Sequence, residues 1–201
     1  MKRDRYVFGK LINRYRLSMK DIKDINTKYE AAKNHLFSYG PKLAGRLDSE
    51  LQFQTLIEKT VAFKKIVASM QDYLNDLSEF HCLRRGHKNI EILSCWINDM
   101  VAGEYNPLHT HNDARGWSTV LFLKIPEFIN DAKDPHKFKD GQLGFVGVDG
   151  VQTEWMEPRV GDFYIFSAAH QHCVVPFKTR TKKEVRRSMS FNFILKEEIN
   201  V

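Results

Sequence analysis

Cysteine and long apolar runs are both scarce in this chain, and each scarcity removes a class of protein. Three cysteines, Cys82, Cys95 and Cys173, stand among 201 residues. They make neither an even set nor a Cys-x-x-Cys pair, so no disulfide framework and no zinc knuckle is expected. A reducing, cytoplasmic setting fits that usage. The apolar runs are of strand length and interrupted by charge, and the basic N-terminus leads into no uncharged segment, so neither a signal peptide nor a membrane span is expected. What is present is ordinary globular composition, 42% hydrophobic and 28% charged, enough for one sizeable core.

The charge is uneven. The net value is +6, and residues 1–35 already hold ten Lys or Arg against four Asp or Glu, so the remainder balances to zero. Within it, Lys178 to Arg187 carries six basic residues against one acidic, Glu184. Such clusters admit a polyanion as partner, nucleic acid included, and equally describe a solvated helix face plus a surface loop.

The first forty percent of the chain reads as helix. Ser18 followed by Asp21 is a capping box, Ile22, Ile25, Tyr29, Ala32 and Leu36 recur at helical spacing, and Gly40-Pro41 supplies a stop. A second start is read at Asp48-Ser49, with Glu50 in the first turn. From there Phe53 to Leu77 marks one face of a long helix, broken at most once. From residue 89 the texture changes to short β-branched and aromatic runs. Strands are expected near 89–98, 102–111, 117–125, 142–148, 151–156, 162–167, 172–177 and 186–195, with Asp149-Gly150 as a hairpin turn and 126–141 as a long polar loop. The fold class is therefore α+β: a helical region over 1–85 packed on a jelly-roll of short strands over 86–201, forming one compact unit. A homodimer is admitted, and whether the helices form its interface is left open.

Of the eight histidines, His35, His81, His87 and His136 sit among polar or helical neighbours and read as surface or capping residues. His109 and His111 lie two apart in a strand-like run and project from one face, where two nitrogens can share a metal. Asp113 keeps the same parity if the strand extends that far. His172 opens a late strand, and a sheet folded over as a jelly roll brings it to the early pair, giving three protein ligands with open positions, as in non-haem iron(II) sites. In the last strand, Arg186, Ser188, Ser190 and Asn192 share one side while Arg187, Met189, Phe191 and Phe193 share the other. An inward Arg186 needs an anion, either a bound dicarboxylate with Ser188 nearby or an Asp or Glu of the same sheet.

Together these residues resemble the iron(II)- and 2-oxoglutarate-dependent oxygenases, built on the double-stranded β-helix, and among them the short oxygenases of tailed phages and marine bacteria. Asn106-Pro107-Leu108-His109-Thr110-His111 is similar to the family's first motif. Gly161-Asp162, Phe166, His172 to Phe177 and Arg186 to Asn192 are similar to the distal ones, over roughly 89–195. The resemblance implies iron(II) as metal, 2-oxoglutarate and dioxygen as cosubstrates, and hydroxylation or demethylation with release of succinate and CO2. It implies Arg186 and Ser188 on the far carboxylate of 2-oxoglutarate, and no catalytic group beyond the metal site. Gly103, six residues before His109, matches a spacing common in the family and favours His109 as first ligand. His111 then stands where a carboxylate is usual, which leaves two sets: His109, His111 and His172, or His111, Asp113 and His172. Ile97-Asn98 followed by Gly103 resembles a segment of AlkB-type nucleic-acid demethylases and implies Asn98 on the cosubstrate. Trp96, Trp117 and Trp155 read as core or rim residues. The primary substrate is left open between a protein side chain, a nucleic acid and a small molecule. Two rival functions are a cupin-like three-histidine dioxygenase without 2-oxoglutarate and a non-catalytic jelly-roll binding module.

Overall fold

The computed structural model describes residues 3–7, 10–81, 86, 88–129 and 139–196. Among the described residues, eleven strands and three α-helices follow in the order β1 (Arg3–Val7), β2 (Leu11–Arg16), α1 (Met19–Ala32), β3 (Ser49–Gln52), α2 (Gln54–Ile57), α3 (Phe63–Phe80), β4 (Ile90–Met100), β5 (Asn106–His109), β6 (Trp117–Lys124), β7 (Leu143–Val146), β8 (Thr153–Met156), β9 (Asp162–Ser167), β10 (His172–Val174) and β11 (Arg186–Leu195). They form a seven-stranded sheet, β1-β2-β9-β6-β11-β4-β3, and a four-stranded sheet, β5-β10-β7-β8, with every pairing antiparallel.

Alternation along the strands sets the layers. One face of the large sheet sends Ile97, Leu121, Phe163, Ile165, Met189, Phe191 and Phe193 against Ile22, Ile25 and Tyr29 of α1 and Ile66, Met70 and Tyr73 of α3. The other face sends Met100, Val120, Phe122, Tyr164 and Phe166 against Leu143, Phe145, Met156 and Val174 of the small sheet. The core is thus two apolar slabs on either side of one sheet, the arrangement expected when period-two patterns are buried on both faces.

The eight expected strands are all present, and the helical expectation needs correction at two places. Ser18 does cap α1 through a capping box with Asp21. Residues 3–7 and 11–16, however, are strands, and the helix read from Asp48 begins at Gln54 and is broken once, between Ile57 and Phe63. Ser49–Gln52 instead pairs with β4 from Ser49↔Asp99 to Gln52↔Trp96 and forms the sheet edge. Four residues with one inward side chain are too short for periodicity to separate a strand from a helical first turn.

Two details fix the frame around the site. Gly161 has φ +91°, and a Cβ there would stand 2.8 Å from the Leu17 carbonyl oxygen, so the close approach of β2 requires glycine. Next to it Asp162, fully buried, is met by Arg16 at 2.6 Å and Arg14 at 3.8 Å. The Gly-Asp pair therefore ties the N-terminal strand to β9. Among the described residues no helix is long and apolar enough to cross a membrane, and Cys95 and Cys173 are free thiols. Cys82, His87, His136 and most of the 126–141 loop lie outside the described residues.

Candidate metal and anion site

The two sheets enclose a cavity of about 410 Å³ lined from the large sheet by Trp96, Asn98, Ser188, Ser190 and Asn192, and from the small sheet by His109, His172 and Val174. Strand register explains the convergence. His172 pairs directly with His109 across β10 and β5, and the His111 backbone N–H donates to the Ala168 carbonyl 2.9 Å away, which turns the chain back after β5. The ligand nitrogens of His109, His111 and His172 all lie within 4.8 Å of one another.

Their protonation follows from their neighbours. His109 Nδ1 lies 2.7 Å from the Pro107 carbonyl and His172 Nδ1 lies 2.8 Å from the His170 carbonyl. A carbonyl only accepts, so both Nδ1 atoms carry the proton and both Nε2 atoms present a lone pair inward. His111 Nε2 is 3.0 Å from His172 Nε2, and the proton between them belongs to His111. Burial holds all three imidazoles neutral: His109 is lowered, His111 is pushed down to about 3 by burial and then by His109, and His172 is held well below its ordinary value by burial and then by His109 and His111. Neutral rings locked by backbone carbonyls are the state in which histidine binds a metal, so the donor set fits a borderline divalent ion such as iron(II).

Asp113 is placed differently. The strand ends at His109, and Asp113 sits in a turn with φ +50°, its side chain exposed on the cavity's rim and outside the three-nitrogen group. The parity expected for an extended strand therefore does not reach it.

Two adjacent arginines on β11 have opposite surroundings. Arg187 points to the helices, where Asp99 meets it at 2.5 and 2.7 Å and Glu30 at 2.7 Å, Asn26 accepts at 3.0 Å, and Tyr29 lies beneath its guanidinium. Arg186 points between the sheets and is 0% exposed. Its Nε donates to the Gly141 carbonyl at 2.9 Å, its Nη1 lies 3.4 Å from Met100 Sδ, Phe122 packs 4.9 Å from the guanidinium carbon, and Nη2 has no partner. No carboxylate pairs with it among the described residues, so the ion pair entertained from sequence is not formed. Burial alone pushes Arg186 down to about 9. A desolvated cation with an orphan donor is an anion site, and Ser188, next on the same face, extends it along the cavity. Asn98 pairs with Ser188 across β4 and β11, lines the same wall, and has an unpartnered Oδ1.

One residue escaped the sequence reading in this role. Glu50, read as part of a helix start, faces the cavity from β3 opposite Asn98, and only the alternation over Ser49–Gln52 hinted at it. Of the tryptophans, Trp117 stacks on Phe193 and Trp155 lies under Lys139, whereas Trp96 is both buried and part of the cavity wall.

Residues 94–192 match the family model described as "Putative 2OG-Fe(II) oxygenase". No curated protein matches the chain. Among solved structures, a Pseudomonas putida prolyl-4-hydroxylase is 17% identical with TM-score 0.57, covering 92% of this chain and 93% of that one. The viral collagen prolyl hydroxylase of Paramecium Bursaria Chlorella virus-1, in its 2OG complex, is 14% identical with TM-score 0.60 over 90% and 94%. HygX from Streptomyces hygroscopicus, with nickel, 2-oxoglutarate and hygromycin B bound, is 10% identical with TM-score 0.55 over 92% and 83%. At these identities the likeness is one of fold, a jelly-roll core.

Proposed function

From the premise that this chain belongs to the 2OG-Fe(II) oxygenases, enzymes that use iron(II) and 2-oxoglutarate, we propose that His109, His111 and His172 hold the iron and that Arg186, Ser188 and Asn98 hold the cosubstrate. The observation that carries the reading is a pair of complementary vacant functions: three neutral imidazole donors on the cavity wall, and a buried guanidinium with an orphan donor on the same face of β11 as Ser188, which lines that cavity. A dicarboxylate with a keto-acid head satisfies both at once. Iron(II) with 2-oxoglutarate and dioxygen supplies the oxidising power to hydroxylate a C–H bond, or to demethylate where the carbon is on a heteroatom, with release of succinate and CO2.

The chain's own residues bind, orient and keep water out. Arg186 donates to the far carboxylate, and its Met100 and Phe122 surroundings strengthen that charge-assisted bond by excluding solvent. Ser188 adds a hydroxyl donor. Asn98 is the neighbour on β4 that fixes the cosubstrate's side. His170 and Pro107 carbonyls keep His172 and His109 in the metal-binding tautomer. His111 would bind through Nε2 as the neutral tautomer that carries its proton on Nδ1.

The three-histidine set is preferred over His111, Asp113 and His172 because its three nitrogens already converge, whereas Asp113 is outside their group. The choice is checked by iron(II) titration. His109→Ala is expected to weaken binding by about 10–100-fold, and Asp113→Asn to leave it within about threefold. The opposite ranking assigns the carboxylate set. Catalysis itself is read by incubating the full chain with iron(II), 2-oxoglutarate and air: slow uncoupled conversion to succinate is expected, and none from His172→Ala. A wild-type protein that binds iron and makes no succinate is the result that rejects 2-oxoglutarate as cosubstrate.

A further inference from the structure

Glu50 is the one buried carboxylate on the cavity wall, 3% exposed, and it has no hydrogen-bond or ion-pair partner among the described residues. It packs under the backbone of the 39–45 segment: a Cβ on Gly45 would stand 2.7 Å from Glu50 Oε1, and one on Gly40 would stand 3.3 Å from Oε2. Tyr39 is held over the same strand by its N–H, which donates to the Glu50 carbonyl at 2.7 Å. The Tyr39 ring lies 5.2 Å from Trp96, and Lys42, whose ammonium lies 5.5 Å from the Tyr39 ring centre, does not pair with Glu50. This wall is therefore an aromatic surface already touched by a cation, beside an unneutralised carboxylate.

The iron and 2-oxoglutarate reading does not use this group. Glu50 is two strands from Ser188, about 10 Å at ordinary strand spacing, and a dianion would be repelled by it. What a buried, unpaired carboxylate asks for is a donor-rich cation, and an aromatic pair beside it favours the same charge. Burial, and then Glu104, push the Glu50 carboxyl up to about 7, as expected of a group whose counter-ion is supplied from outside.

We propose that Glu50 recognises the primary substrate, and that this substrate carries a cationic nitrogen, an ammonium or guanidinium group, seated between the Glu50 carboxylate and the Tyr39–Trp96 rings. The proposal rests on this being the oxygenase cavity, and it narrows the substrate to cationic side chains or amines. Nucleic acid, permitted by the overall charge, is the class it disfavours.

The test uses the full chain and Trp96 as reporter. Intrinsic fluorescence is titrated at 0.15 M salt with n-pentylammonium, n-pentylguanidinium and the neutral 1-pentanol, first on metal-free protein and then with iron(II) and 2-oxoglutarate under nitrogen. At least one cation is expected to bind about tenfold or more tightly than pentanol, and Glu50→Gln to bring the two within about threefold. Trp96→Phe is expected to remove the fluorescence response, locating it. Equal binding of cation and alcohol by the wild type, or a cation preference that survives in Glu50→Gln, overturns the proposal. Because the first titration needs no iron, a protein that prefers the cation but fails to bind iron or 2-oxoglutarate rejects the oxygenase reading while the Glu50 result stands.

Discussion

At the scale of single residues, the contrast between Arg186 and Arg187 separates function from stability. Arg187 is buried with two carboxylates and an aromatic face, so removing it leaves Asp99 as an uncompensated buried charge. Arg186 is buried with no counter-ion, so it costs stability until an anion arrives. Arg187→Met is expected to lower unfolding free energy by about 3–5 kcal/mol, whereas Arg186→Met is expected to be neutral or stabilising by about 1 kcal/mol. Urea denaturation of the ligand-free variants measures both. Equal losses would mean that Arg186 has a hidden partner and is structural. The wild type is further expected to gain stability on adding 2-oxoglutarate with iron(II), and Arg186→Met is not.

At the scale of elements, β3 is, with β1 and β2, one of three strands that the sequence did not announce, and it carries the added carboxylate. The eight distal strands were legible because β-branched and aromatic runs alternate there between Gly, Pro and Asp punctuation, and α1 was legible from its Ser18 capping box. Arg186 and Ser188 were nameable because period two fixes a face within one strand, whereas His109, His111 and His172 were nameable from the His-x-His spacing and the late-strand histidine. The cavity's other wall was not legible, since Glu50 meets Asn98 only through pairing of segments far apart in sequence, and local pattern carries no such information. The parity reading of Asp113 was conditional on the strand extending that far, and the strand ends at His109, before the left-handed turn at Asp113. Placing Glu50 inside a sheet edge has a pH signature. Its native carboxyl lies at about 7 against an ordinary 4.5, so between those values the folded protein keeps a proton that the unfolded chain has lost. Stability is then lost as pH rises through that window. Glu50→Gln is expected to match the wild type near pH 4.5 and to exceed it by roughly 2–3 kcal/mol at pH 8. A difference that does not change between those pH values would show Glu50 to be solvated or internally paired.

At the scale of the whole molecule, the N-terminal third packs into both apolar slabs of the jelly roll. Ile12 enters the slab between the sheets, Leu11, Tyr15 and Leu17 enter the slab under the helices, and Phe53, Ile66, Met70 and Tyr73 cover Ile97, Leu121, Met189 and Phe191. We therefore propose a single folding unit, and a fragment of residues 86–201 is expected to aggregate or lack cooperative unfolding, because one full face of the large sheet loses its cover. A soluble monomeric fragment with a sharp thermal transition by circular dichroism would contradict that. The same three-layer build leaves the small sheet and the inner face of β3, β4 and β11 to form the cavity that His109, His111 and His172 line, with Arg186 buried beyond Ser188 on the same face of β11. The most direct measurement is anaerobic absorbance spectroscopy of the full chain with iron(II), then 2-oxoglutarate. A weak visible charge-transfer band that appears only when both are present, and is lost in Arg186→Ala with iron binding intact, is the result predicted. Iron binding with no such band, or a band unchanged in Arg186→Ala, would contradict the account.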